Sequence, residues 1–113
     1  MRKDEQIKAI CEALKENGDI NDWAYDHFTE ASAVDLPFAV YRRVAPPSFS
    51  ADGVVYHLGE NVDLEIYAAT PDDMIAIMAK AEAALDGAEL YYNIGADTAY
   101  IESEDFYETL YEI

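Results

Sequence analysis

Between Val54 and Leu85 the spacing of apolar residues changes period, and that change constrains the fold more than any other feature of the chain. In NVDLEIYA, Val62, Leu64 and Ile66 alternate with Asp63, Glu65 and Tyr67, as in a strand with one packed and one wet side. The next residues, ATPDD, read as a helix start: Thr70 can cap, Pro71 suits the first helical position, and Asp72 and Asp73 favour the positive helix end. From there Met74, Ile77, Met78, Ala81 and Leu85 form one helical stripe, which Gly87 is placed to end.

The remaining segments fit around this unit. Ile7, Ile10, Cys11 and Leu14 repeat at i, i+3, i+4 and i+7, predicting a first helix over residues 3–16 that stops at Gly18. DWAYDHF (residues 22–28) reads equally as a short strand or an aromatic loop, with Trp23, Tyr25 and His27 on one side. TEASAVDL has no period, and Pro37 biases Leu36 towards an extended conformation. PFAVYRRV (residues 37–44) reads as a strand with proline at its tolerated first position, and APPSFSADG (residues 45–53) as a loop. Val54 to Ala68 is extended, and Gly59 marks a bulge or a turn within it. LYYNIG, AYIES and DFYETLYEI are extended, with Tyr107, Thr109, Tyr111 and Ile113 on one face of the last strand. The expected architecture is one α+β domain over residues 1–113, in the order α-β-β-α-β-β. Two helices pack on one face of a mainly antiparallel sheet of about four strands.

Charge limits what such a domain can bind. The net charge is −17, and it is unevenly placed: residues 1–44 carry six basic and nine acidic side chains, whereas residues 45–113 carry Lys80 against fifteen acids. This balance argues against non-specific binding to nucleic acid or anionic membranes. The start, MRKDEQIKAI, lacks the apolar core of a signal peptide, and no run of apolar residues reaches membrane-spanning length, so a cytosolic protein is expected. Nine tyrosines suit surfaces that are buried only part of the time and favour a protein with partners.

Signals for chemistry are weak. His27 and His57 have carboxylates nearby in sequence, Asp26 and Glu60, but both fall in probable strands where a ring of that size packs. No metal-ligand spacing occurs, and GDIND (residues 18–22) lacks the downstream Glu of a calcium loop. Cys11 lies on the apolar stripe of the first helix, and Ser48, Ser50 and Ser103 sit in no nucleophile elbow. We therefore expect no enzyme activity, no cofactor and no metal. The residues that read as contacts are Arg42 and Arg43, on opposite sides of their strand, and the loop carrying Pro46, Pro47 and Phe49. Two ordinary surface cations are the plainer reading of the arginines, and a Phe49 tucked under its own loop fits the pattern as well as one presented outward.

The segments WAYDHF, LPFAVYRR, NVDLEIYA, PDDMIAIMAKAEAALDGAELYY and YIESEDFYETLYEI together resemble the tail-terminator, or tail-completion, proteins of long-tailed phages and prophages. The resemblance covers roughly residues 20–113 and is most specific from Tyr100 to Ile113. It implies a structural subunit that assembles in the host cytoplasm into a hexameric ring. That ring caps the tail tube in the virion and joins it to the head connector. DNA would pass through without being held, so an acidic lumen is expected, with Asp63, Glu65, Glu102, Glu104 and Asp105 as candidates. Composition also admits an acidic DNA mimic that inhibits a nucleic-acid-binding enzyme.

Overall fold

The computed structural model describes residues 2–29, 34–44 and 61–113 in full, and the backbone of residues 48–51 and 54–57. Helix α1 spans Lys3–Glu16 and buries Ile7, Ile10, Cys11 and Leu14, the stripe read from the sequence. It closes with Gly18 at φ 80°, where the Asp19 N–H reaches the Leu14 carbonyl and the Gly18 N–H that of Lys15. Both bonds need the left-handed conformation that glycine adopts without a steric penalty.

Strand β1 (Asp22–Tyr25) and strand β2 (Phe38–Val44) run parallel, with Trp23 opposite Ala39 and Tyr25 opposite Tyr41. The Asn21 side chain anchors the approach to Pro37 by donating to the Asp35 and Leu36 carbonyls. Strands β3 (Ser48–Ala51) and β4 (Val54–His57) form a separate two-stranded antiparallel sheet. Strand β5 (Asn61–Ala68) then pairs antiparallel with β2, followed by helix α2 (Pro71–Gly87) and the antiparallel strands β6 (Asn93–Ile101) and β7 (Phe106–Glu112). The main sheet has the order β1-β2-β5-β7-β6.

Both helices lie on one face of this sheet. Helix α1 packs over β1, β2 and β5, and α2 over β5, β7 and β6. Between them sit Ala39, Tyr41, Val62, Leu64, Ile66, Thr109 and Tyr111, all buried. Among the described residues no helix is long and apolar enough to cross a membrane.

The α+β class and the single helical layer agree with expectation, but the sheet does not. It has five strands and is mixed, because β1 joins β2 in parallel across a connection of about a dozen residues, the length a parallel crossover requires. The stretch read as a loop, Ala45 to Gly53, contains β3, which pairs antiparallel with β4. Gly59 lies outside the described residues. Helix α2 ends at Gly87, the stop read from the sequence, but the left-handed residue that closes it is Glu89, at φ 57°. The Leu90 N–H to Leu85 carbonyl bond sets that end.

Candidate interaction surface

The face of the sheet opposite the helices is divided into two zones. At the end near the β6–β7 turn, Phe28, Phe38, Tyr67 and Phe106 form an aromatic row across β2, β5 and β7, with successive ring centroids 5.2, 5.1 and 5.1 Å apart. Alternation in β2, β5 and β7 puts these rings on one side, and the strand registers bring them side by side.

Beyond the aromatic row lies a charged zone. The Arg42 Nη2 donates to Glu65, 3.0 Å from each carboxylate oxygen, and the Tyr67 hydroxyl donates to Glu65 Oε2 at 2.7 Å. Arg42 Nε lies 3.6 Å from Asp26 Oδ1, too far for a hydrogen bond. Asp63 stands directly opposite Arg42 on one side and Glu112 on the other, and Glu108 stands opposite Tyr67. One guanidinium therefore serves a neighbourhood of carboxylates. Burial, with Glu112 and Glu65 beside it, pushes the Asp63 carboxyl above its ordinary range, and burial with Glu65 does the same to Glu108. Where the charged zone meets the end of the sheet, Lys3, Asn61, Asp63, Tyr91, Asn93 and Glu112 line a hollow of about 680 Å³.

Tyrosine hydroxyls act as the counter-donors that a chain poor in lysine and arginine lacks. Tyr111 and Tyr92 donate to the two oxygens of Glu82 at 2.9 and 3.2 Å, and Tyr100 donates to Asp105 at 2.7 Å. Burial and the Glu82 hydrogen bond push the Tyr111 phenol well up. Several tyrosines that the sequence suggested for a partner surface are thus held by carboxylates of their own chain.

Of the residues singled out in the sequence, Arg42, Asp63 and Glu65 come together on the open face. Arg43 is exposed, and its backbone N–H bonds the Tyr25 hydroxyl at 3.3 Å. Phe49 sits in β3 at the register position opposite Tyr56, and Pro46 and Pro47 lie outside the described residues. Glu102, Glu104 and Asp105 form the exposed β6–β7 turn, about 20 Å along the sheet from Asp63 at the strand rise per residue. The five candidate lumen acids therefore do not make one patch. Glu65, with 12% of its side chain exposed, is neutralised by Arg42 and is not a free surface charge.

Glu108, Glu112 and Asp26 were missed. The alternation of DFYETLYEI places both glutamates on the wet side, but only the register reveals that they face Tyr67 and Asp63. Among the catalytic candidates, Cys11 is fully buried, and burial with nearby Glu12 pushes its thiol up to about 12. His27 lies past the end of β1, not within a strand, and its exposed ring sits 2.8 Å from Asp26 Oδ2. The side chain of His57, in β4, lies outside the described residues. No family model and no characterised protein matches the sequence.

Proposed function

We propose that this domain is a ring-forming structural subunit of the tail-terminator type, closing a phage tail tube and joining it to the head connector without catalysing a reaction. The observation that carries this reading is the β3–β4 ribbon. It forms a two-stranded sheet of its own, separate from the five-stranded sheet. An isolated two-stranded ribbon is marginal in water, so a neighbouring molecule is its natural support. Its register sets Phe49 opposite Tyr56 and Ala51 opposite Val54.

One further feature fits a ring. The sheet has two unlike edges, the short parallel strand β1 and the bulged strand β6, so contacts between copies join different patches, as closure around an axis requires. The acids of residues 61–113 are spread over the open face, α2 and the β6–β7 turn, so they form no single acidic wall and the ring reading does not rest on an acidic channel.

Arg43, exposed near the end of β2, is a second probe of subunit contact beside Arg42. Arg43→Glu is expected to leave a folded domain with impaired assembly. The test of function is electron microscopy of tails assembled without the protein. Tubes of uncontrolled length that fail to join heads are expected, and normal finished tails would refute the reading.

A further inference from the structure

The helical layer is narrower than the sheet it covers. Five strands at about 4.8 Å spacing exceed the width of two helices packed about 10 Å apart. Helix α1 takes the β1 side and α2 settles over β5 and β7 with one flank against β6, so only part of the helix side of that edge strand stays open. Ile94 and Tyr100 point to that side, since they pair with Tyr111 and Tyr107, and they are 41% and 51% exposed. Across from them α2 presents Ile75, 60% exposed. Between α2 and the middle of β6 is a groove of about 450 Å³ lined by Ile75, Met78, Ala79, Glu82, Asp97 and Thr98, with Ile94 and Tyr100 before and after it along β6. The hydroxyl of Thr98 reaches Met78 Sδ at 3.7 Å and closes its floor.

The rim is acidic: Glu82 and Asp97 line the groove, Asp86 follows one turn further along α2, and Lys80 is the one cation in residues 71–112. An apolar floor with an anionic rim selects a guest that is apolar on one side and cationic on the other. A second copy of this chain fits poorly. Its net charge is −17, and Arg2, Lys15 and Arg42 are spent in ion pairs within the chain, while Lys8 lies over the Trp23 ring.

We propose that the groove between α2 and β6 is a docking site for a cationic amphipathic helix of another protein. The helix lies beside α2 as a third member of the helical layer. Its apolar residues rest on Ile75, Ile94 and Tyr100, and its lysines or arginines meet Asp97, Asp86 and the turn acids. This goes beyond ring formation and does not depend on it.

The test is titration of the isotope-labelled full chain, followed by amide chemical shifts. Two peptides of equal charge serve as probes, one an amphipathic Leu/Lys helix and the other all-polar Ser/Lys. The Leu/Lys peptide is expected to shift residues 74–82 and 94–101 and to bind at least about tenfold tighter than the Ser/Lys peptide. Ile75→Ser, at an exposed position, should remove about that tenfold while leaving the unfolding transition in place. Ile94→Thr should act in the same direction. Equal affinity for the two peptides, shifts centred on the open face, or Leu/Lys binding unchanged by Ile75→Ser would each overturn the proposal. A change in oligomeric state on Ile75→Ser would also overturn it, by assigning the groove to a second copy.

Discussion

Along β5, alternate residues belong to different environments. Val62, Leu64, Ile66 and Ala68 face the helices and are fully buried, whereas Asp63, Glu65 and Tyr67 face away and keep part of their surface. The helix side is held by shape, through close packing that leaves little room for substitution. The open side is held by pairing, with one arginine and several tyrosine hydroxyls offsetting an excess of carboxylates. The difference teaches that in so acidic a chain the hydrophobic layer carries stability, while the polar face sets which charges remain available to partners.

The contrast is broken most severely from the helix side. Leu64→Ala removes a fully buried side chain from the centre of the sheet and should destabilise the domain by about 3 kcal/mol, measured by urea unfolding. On the open side, Arg42→Met strips Glu65 of its partner and removes the positive charge that favours the ionised forms of Asp63 and Glu108. A loss of about 2 kcal/mol is expected, less than for a fully buried pair because the arginine side chain is one-third exposed. Adding Glu65→Gln to Arg42→Met should recover part of that loss; a double variant no better than the single one would show that packing, not charge, dominates there.

Tyr111→Phe is a smaller perturbation, deleting one hydroxyl from a fully buried ring and leaving Glu82 with Tyr92 alone. It should destabilise by about 1 kcal/mol in thermal or urea unfolding. The smallest effect has the opposite sign. Asp63 and Glu112 are like charges directly opposite one another, so Asp63→Asn should stabilise the domain at neutral pH by about 0.5 kcal/mol.

Acidity tests the same strain in the natural protein. Asp63 and Glu108 have folded-state values raised above the ordinary 3.8 and 4.5. A group raised in the folded state binds its proton more tightly there, so its stabilising contribution is complete below the ordinary value and is lost as pH rises through the folded one. Stability should therefore increase as neutral solution is mildly acidified, helped by relief of the overall negative charge. Asp22 opposes this at lower pH, because the Trp23 N–H and Lys15 hold its carboxyl below 3.8. A melting temperature that falls steadily from neutral pH downwards would contradict the picture of an overcrowded open face.

The same division explains what could be read in the chain beforehand. Burial patterns are local, so the stripes of both helices and the alternation of β5 and β7 were legible from residue spacing. Pairing is not local. Nothing in DWAYDHF specifies that β1 will lie parallel to β2, and the prolines of APPSFSADG obscured the hairpin strand that follows them. The fate of the tyrosines was hidden for the same reason. Glu82 meets Tyr111 only because α2 crosses β7, a contact between residues 29 positions apart in sequence. At the end of α2, Gly87 offered the obvious stop, yet the left-handed position falls on Glu89, where a non-glycine residue costs about 1 kcal/mol.

The claim that this domain acts as a repeated subunit is tested most directly by electron microscopy of purified tail tubes mixed with the purified protein. The account predicts one closed ring of fixed rotational symmetry at a single end of each tube. Bare tube ends, with the protein still monomeric and instead binding a basic protein in a steeply salt-dependent way, would contradict it and favour the DNA mimic.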